Sequence, residues 1–260
     1  MSKYHGKFIW YDVMTTDCKA AEAFYRRVLG WSAKAFAGSD AAGPYTIFST
    51  GSAEVGGLMQ ITREMQSMGV PPCWTGYIAV DHVDEYAARV KKSGGAVRRG
   101  PEDIPGVGRF AVVADPHGAV FIIMKGNSPE GPPTAAPDAI GHVGWRELQA
   151  GDGKQAFAFY SGLFGWKKAD AIDMGKMGVY QTFSTGNGAV GGMMTKMPEA
   201  PGPFWLYYFN VDAIDAVVAR VKSAGGRICL EPQQVPTGQW IAQCTDPQGA
   251  MFGLLAPKRS

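Results

Sequence analysis

Two acidic residues offer the clearest chemistry in this sequence, and each follows a tryptophan by two positions. Asp12 follows Trp10, and Glu147 follows Trp145, in two similar segments that lie 135 positions apart. Because alternate residues of a strand share one face, each carboxylate is expected beside an indole. Such a carboxylate can act as a general acid or base, or bind a ligand amine or hydroxyl. The alternative is a structural carboxylate, satisfied by backbone N–H groups or nearby arginines.

The same strand faces supply candidate ligand-binding residues. Met14 and Gln149 lie two positions beyond the acids, and a later strand carries Tyr77 in one segment and Tyr208 in the other. Aromatic faces provide contact area while a few polar groups provide orientation, which suits a small, flat or apolar molecule. The predicted set is Asp12 and Glu147 as candidate catalytic groups, with Trp10, Met14, Tyr77, Trp145, Gln149 and Tyr208 as ligand-binding groups. The alternative is that these side chains fill the interior as core.

These residues recur because the chain carries an internal duplication. The segment YTIFSTG at 45–51 returns as YQTFSTG at 180–186, and Asp115-Pro-His-Gly returns as Asp246-Pro-Gln-Gly. With 260 residues, 46% of them apolar, each copy is long enough for a domain with its own core. We therefore predict a first domain at 1–126, a Pro/Gly-rich linker at 127–141 and a second domain at 142–260.

Periodicity within each copy predicts two βαβββ modules. In the first copy, a helix should begin at the cap formed by Thr16 and Asp17 and end at Gly30, and a second helix should span 83–93. The predicted strands of this copy are 8–14, 31–36, 45–50, 55–61, 74–80, 96–99, 110–114 and 119–124. The expected fold class is α+β, with a curved mixed sheet that forms a cup in each domain.

The modules, the FY pair in the first helix, the Gly-Gly pairs and the DPxG turns resemble the vicinal oxygen chelate superfamily. That superfamily includes glyoxalase I, extradiol dioxygenases and bleomycin-resistance proteins. The resemblance covers almost the whole chain, and it is closer still to tandem two-domain proteins of the Cfp30B-like, loosely named hydroxylase subgroup. The fold it implies is the one that the periodicity predicts, but it says little about the reaction, since one scaffold hosts unrelated chemistries.

Catalytic members of the superfamily hold a divalent metal with His, Gln or Glu side chains. Matching motif to motif, the resemblance implies ligand positions occupied here by Trp10 and Trp145, Thr75 and Leu206, and Ile122 and Gly253. An indole nitrogen is only a donor, and the apolar residues offer no ligand atom. We therefore predict no metal site and no cofactor in either copy.

Three functions stay open at this point. The first is metal-independent binding of a small molecule, in the manner of bleomycin-resistance proteins. The second is a metal-independent lyase, isomerase or hydroxylase-like enzyme that uses Asp12 and Glu147 near Tyr77 and Tyr208. The third is a metal-dependent lactoylglutathione lyase or extradiol dioxygenase with ligands at other positions.

Composition argues against several classes of partner. The formal charge is +2, from 25 basic and 23 acidic residues with no block of like charge, so neither nucleic acid nor a membrane surface is an expected partner. Apolar runs are far shorter than the ~20 residues of a membrane span, and we expect a cytoplasmic protein. The four cysteines are not duplicated and are expected as reduced thiols. The expected partner is an unknown small molecule, and the domains could pair within one chain or between the chains of a homodimer.

Overall fold

The structure, a computed structural model, describes residues 2–36, 44–128 and 135–260. The predicted linker falls partly outside this range, because residues 129–134 are not among those described.

The first copy forms one mixed eight-stranded sheet within the described residues. Its strand order is β2-β3-β4-β1-β5-β8-β7-β6, with β1 parallel to β4 and β5 parallel to β8. In chain order the elements are β1 (Phe8–Thr15), α1 (Cys18–Leu29), β2 (Ser32–Ala35), β3 (Tyr45–Thr50), β4 (Ala53–Gln60), α2 (Arg63–Ser67), β5 (Cys73–Ala79), α3 (Val83–Lys92), β6 (Ala96–Ile104), β7 (Gly108–Ala114) and β8 (Val120–Gly126).

The second copy repeats this sheet, with the order β10-β11-β12-β9-β13-β16-β15-β14. Its elements are β9 (Val143–Ala150), α4 (Gly153–Phe164), β10 (Lys167–Asp173), a 3-10 turn (Gly175–Met177), β11 (Val179–Ser184), β12 (Ala189–Thr195), β13 (Phe204–Asn210), α5 (Ile214–Ser223), β14 (Arg227–Gln234), β15 (Trp240–Thr245) and β16 (Met251–Ala256). The predicted α+β class, with two βαβββ modules in each copy, is confirmed.

Both copies begin their first helix with the same local signals. The Asp17 carboxylate accepts a hydrogen bond from the Ala20 backbone N–H at 2.9 Å, and α1 ends at Gly30 with φ of 72°. In α4 the corresponding residues are Asp152 and Gly165, the latter again with φ of 72°. A side-chain N-cap and a left-handed glycine each satisfy backbone groups that the helix leaves unpaired, so these boundaries follow from the local sequence.

Two elements of the first copy differ from the prediction by more than two residues. The short helix α2 was not predicted, and it lies in the connection in which the second copy is four residues shorter. Strand β6 was predicted to end at 99 but continues to Ile104, because a register shift between Arg99 and Glu102 accommodates Gly100 and Pro101. Proline is tolerated there because β6 is the edge strand of its sheet.

Contacts gather the chain into two compact units, and each unit draws on both copies. The first unit consists of Met1–Trp10, Thr75–Pro132 and Arg146–Leu206, and the second of Tyr11–Trp74, Pro133–Trp145 and Tyr207–Ser260. The predicted domain boundaries at residues 126 and 142 divide the chain by sequence copy, whereas these units are defined by contacts. The boundaries therefore stay a prediction.

Inside each unit, a tyrosine from one copy meets an aspartate from the other. In the second unit the Tyr25 hydroxyl donates to Asp246 at 3.0 Å and accepts from the Trp74 indole N–H at 2.9 Å. In the first unit Tyr160 lies between Asp115, at 3.4 Å, and Trp205, at 3.1 Å, in the same way. The tyrosine of each FY motif thus packs against the DPxG turn of the other copy.

None of the helices in the described ranges has the length and apolar character needed to cross a bilayer.

Candidate functional site

In the second unit, a buried carboxylate accepts a hydrogen bond from a tyrosine. Asp12 lies on β1 and is only 2% exposed. The hydroxyl of Tyr45, on β3, donates a hydrogen bond to the Asp12 Oδ1 atom at 2.6 Å. Tyr45 itself is half-buried. The Tyr45 hydroxyl and the Asp12 carboxyl thus form one hydrogen-bonded polar pair within this unit.

Sheet register explains why these two side chains meet. The parallel pairing of β1 and β4 places Asp12 opposite Gly57, and the antiparallel pairing of β3 and β4 places Tyr45 opposite Met59. The tyrosine ring therefore crosses the strand at Gly57, where a methyl group would collide with both the Tyr45 ring and the Asp12 carboxylate. Glycine at this position is what allows the hydroxyl to reach the acid.

The first unit repeats the arrangement with a longer acid. Glu147, on β9, is 8% exposed and opposite Gly192, and its Oε2 atom accepts from the Tyr180 hydroxyl at 3.1 Å. Its Oε1 atom accepts from the Gln149 amide at 2.8 Å. A methyl group on Gly192 would collide with the Tyr180 ring. The structure thus joins two of the predicted site residues, Glu147 and Gln149, directly.

The predicted aromatic residues of the first unit lie in apolar surroundings. Tyr77 is buried in a cluster with Phe110, Ile122 and Met124, and Trp10 packs against that cluster while staying half-buried. Tyr77 and Ile122 are register partners on β5 and β8. The last-strand ligand position that the family resemblance implies is therefore filled by an isoleucine inside an apolar cluster.

In the second unit, the position equivalent to Ile122 is Gly253, which has no side chain. Tyr208 is 1% exposed, and its register partner on β16 is Gly253. A methyl group on Gly253 would collide with the Tyr208 ring, whose hydroxyl accepts a hydrogen bond from the Gln243 amide at 2.7 Å. Trp145 and Met14, the other two predicted residues in this unit, are half-buried.

The residues at the implied ligand positions do not fit a divalent metal ion. Ile122 and Gly253 offer no donor atom, and Leu206 is 1% exposed and apolar. Across residues 2–36, 44–128 and 135–260, no three His, Cys, Asp or Glu side chains are grouped so that they could hold a metal. A metal site of the family type needs three or more such ligands. We therefore assign no chemistry here to a metal ion.

Tyr45 and Tyr180 are the site residues that the sequence prediction missed. Each opens the duplicated strand segment described above, and each follows its acid by 33 positions. That equal spacing, together with a tyrosine at the start of the duplicated segment in both copies, was the available signal.

Surface clefts of the first unit lie apart from the predicted residues. One, of about 610 Å³, is formed mainly by α3 and α4 and includes Arg89, Lys92 and Phe159. None of the predicted site residues lines it.

Comparison with known proteins identifies full-length relatives. The chain is 32% identical over 249 residues to the "Putative glyoxylase CFP32" of Mycobacterium tuberculosis, an alignment that covers 95% of this chain and 94% of that protein. It is 33% identical over 263 residues to the "Anthracycline biosynthesis protein DnrV" of Streptomyces peucetius, with 96% and 93% covered.

Solved structures support the fold at much lower identity. The Mn(II)-bound glyoxalase from Novosphingobium aromaticivorans aligns with a TM-score of 0.66 and 16% identity, over 98% of this chain and 83% of that one. The 2,2',3-trihydroxybiphenyl 1,2-dioxygenase from Sphingomonas wittichii strain RW1 aligns with a TM-score of 0.65 and 13% identity, over 98% and 91%.

A family model for the Glyoxalase/Bleomycin resistance protein/Dioxygenase superfamily matches residues 7–123 and 139–254, once for each copy. The two matches span the paired βαβββ modules and both tyrosine–carboxylate pairs. This chain belongs to the Glyoxalase/Bleomycin resistance protein/Dioxygenase superfamily.

Proposed function

We propose that this protein binds a small, flat or apolar molecule without a metal ion, at sites whose polar ends are the Asp12–Tyr45 and Glu147–Tyr180 pairs. The observation that carries the proposal is the repetition of this pair: both copies keep a buried acid, a half-buried tyrosine and the glycine that separates them.

Electrostatics supports binding without a metal. The Glu147 carboxylate accepts hydrogen bonds from two neutral groups, Tyr180 and Gln149, and Asp12 accepts from Tyr45. Hydrogen-bond donors of this kind offset part of the cost of burying a carboxyl group. The apolar contacts predicted from Trp10, Trp145, Tyr77 and Tyr208 stay part of this proposal.

Names of the relatives add a ligand class. Two of them are called anthracycline biosynthesis proteins, and anthracyclines are planar, polycyclic aromatic molecules that carry hydroxyl groups. A flat aromatic ligand suits a site with apolar walls and one or two fixed polar groups.

The test is metal analysis together with ligand-dependent thermal stability. We expect the purified protein to contain well under one divalent ion per chain, and its unfolding temperature to rise with a planar hydroxylated aromatic compound. Tyr45→Phe and Tyr180→Phe together should remove most of that rise, because they delete the polar end of each site. Stoichiometric metal, with loss of binding after chelation, would contradict the proposal.

A second candidate function is metal-independent catalysis by Asp12 and Glu147 as acid/base groups. It is favoured by the burial of both acids behind a tyrosine hydroxyl, an arrangement that can pass a proton. Asp12→Asn combined with Glu147→Gln should then abolish turnover of a bound compound while binding persists. Turnover that survives in this double variant would leave binding as the function.

A further inference from the structure

We infer that the cleft between α3 and α4 is a second binding site, for a small organic anion with an apolar body. This α3–α4 cleft, of about 610 Å³, lies within the first unit, and none of its lining residues belongs to a tyrosine–carboxylate pair. Its volume is in the range of small-molecule sites. The inference does not depend on the proposed function, because the two sites consist of different residues.

The duplication shows why the chain leaves space here. The equivalent of Gly162 in the first copy is Arg27, and the equivalent of Lys92 in the second copy is Ser223. In the second unit, Arg27 Nη2 donates a hydrogen bond to Ser223 Oγ at 3.2 Å, so a long side chain spans from α1 to α5. In the first unit, a methyl group added to Gly162 would meet no atom of a neighbouring element within 4 Å. The space that Arg27 crosses in the second unit is therefore left open in the first.

The α3–α4 cleft has two cations in its lining and no described acidic residue. The cations are Arg89 and Lys92, both on α3. Among the residues that the structure describes, neither side chain takes part in an ion pair, and the Lys92 ammonium group forms no hydrogen bond. Guanidinium and ammonium groups donate their strongest hydrogen bonds to anionic acceptors such as carboxylates. An anion in the cleft would supply the partner that the chain does not.

Arg89 is held in position without a ligand. Its Nη2 atom donates to the Gly162 carbonyl at 3.2 Å, and its guanidinium carbon lies 4.3 Å from the centroid of the Tyr86 ring. In the second unit the equivalent Arg220 donates to the Val28 carbonyl at 3.1 Å, so an arginine joins the two helices in both units. A guanidinium group carries five N–H donors on three nitrogens, and the bond to Gly162 uses one nitrogen. Arg89 can thus join the helices and bind an anion together.

The rest of the lining favours an apolar body over a bare inorganic anion. Phe159 and Leu163, on α4, are 7% and 4% exposed, and the exposed residues Ala158 and Pro116 extend this apolar surface. An apolar group that covers these side chains removes apolar surface from water, which is favourable. A carboxylate attached to a small aromatic ring system combines the two features that the cleft offers.

Two naphthalene derivatives of similar shape test the role of charge. We would titrate the full-length, 15N-labelled protein with 2-naphthoate and with neutral 2-naphthamide, and follow the backbone amide resonances of Gly162 and Ser93 by NMR. Both residues line the cleft, so their shifts report binding there rather than elsewhere. We expect naphthoate to bind about fivefold more tightly at low ionic strength, as two exposed ion pairs would allow. Added salt should reduce that ratio.

Two neighbouring lysines supply matched variants. Lys92→Gln removes a cation that lines the cleft, whereas Lys91→Gln removes an equally exposed cation of the same turn that does not line it. The first substitution should lower the naphthoate preference to about twofold, and the second should leave it within about 1.5-fold of the wild-type value.

A double variant tests the role of space at constant net charge. Gly162→Arg with Lys92→Ser reproduces in the first unit the pair that Arg27 and Ser223 form in the second. The new side chain should occupy the cleft, so the Ser93 resonance should no longer shift with either compound. Thermal unfolding of each variant verifies that the protein remains folded.

The results that would overturn the inference are specific. They are an absence of shifts at Gly162 and Ser93, equal affinities for the two compounds, equal effects of the two lysine substitutions, or binding that persists in the double variant. Tyr45→Phe with Tyr180→Phe, the variant that tests the proposed function, should leave the titration of the cleft unchanged. The proposed function and this second site can therefore fail separately.

Discussion

At the residue scale, the candidate site depends on glycine as much as on its polar groups. The sequence indicated the acids Asp12 and Glu147, because a tryptophan two positions earlier marks the same strand face in both copies. It did not indicate Tyr45 or Tyr180, since a strand pattern tells which face a residue shares but not which side chain crosses from a neighbouring strand. That partner is set by register and by the space at Gly57 and Gly192.

The glycines provide a direct prediction. Gly57→Ala and Gly192→Ala should each displace the tyrosine that crosses them, because the added methyl group collides with a ring rather than with a flexible chain end. We expect a loss of about 1–3 kcal/mol in the free energy of unfolding, as for other overpacked positions, together with loss of ligand binding. Urea denaturation and calorimetry measure the two effects.

Gly186→Ala is the matched control for that experiment. The nearest atom to a methyl group there is Lys7 Cε at 4.0 Å, so the substitution should change the unfolding free energy by less than about 0.5 kcal/mol. An equal loss at Gly186 and Gly192 would show that crowding at the tyrosine is not the cause.

At the scale of single elements, prediction succeeded where local chemistry decides the structure. Strand β3 was predicted with the bounds found, and α1 has the predicted cap and terminal glycine. The five-residue helix α2 is too short to show a period, and β6 was shortened because Gly100 and Pro101 resemble a loop. Both misses depend on the surrounding sheet, which a local pattern does not contain.

Two glycines of the helical segments should respond in opposite directions to alanine. Gly162 lies inside α4 and Gly30 ends α1, and a methyl group added to either would meet no atom of a neighbouring element within 4 Å. Gly162→Ala should raise the unfolding free energy by up to about 1 kcal/mol, since alanine favours helix. Gly30→Ala should lower it by about 1–2 kcal/mol, because φ is 72°. Thermal unfolding of both variants checks the signs, and a shared sign would contradict the argument.

The buried tyrosines that join a helix to a turn allow a second comparison between copies. Tyr25→Phe leaves the Trp74 N–H without its acceptor and removes the hydrogen bond from Tyr25 to the Asp246 Oδ2 atom, so we expect a loss of about 1–3 kcal/mol in the free energy of unfolding. Burial raises the pKa of Asp246, and the Tyr25 hydrogen bond opposes that effect. Tyr160→Phe should cost a similar amount in the first unit. Chemical denaturation measures both, and half-buried Tyr180→Phe should cost less than either.

At the scale of the whole molecule, the duplication was evident from the sequence but the exchange of partners was not. Trp31 of the first copy donates to the Gly141 carbonyl before the second copy's first strand, and Trp166 of the second copy donates to the Gly6 carbonyl before the first. Because both copies carry the same motifs, the sequence pattern is the same whether a motif packs against its own copy or against the other copy. Only the folded chain distinguishes the two arrangements.

Those same segments before β1 and β9 carry histidines that should make stability depend on pH. Burial lowers the pKa of both His5 and His142 from the ordinary value of 6.5. For His5, Asp81 at 3.6 Å opposes this effect. The unfolded chain therefore binds protons at a higher pH than the folded chain does. Stability from these groups is present above pH 6.5 and is lost as the pH falls through their lowered pKa values.

We accordingly expect the unfolding temperature to fall between about pH 7.5 and about pH 5.5. Asp246 contributes in the opposite sense, since its pKa is raised and its contribution is lost as the pH rises through that pKa. Replacement of both histidines isolates their share: His5→Gln with His142→Gln should remove most of the fall while the protein stays folded at about pH 7.5. An unchanged fall in the double variant would assign the pH dependence to other groups, because two neutral glutamines cannot take up the protons.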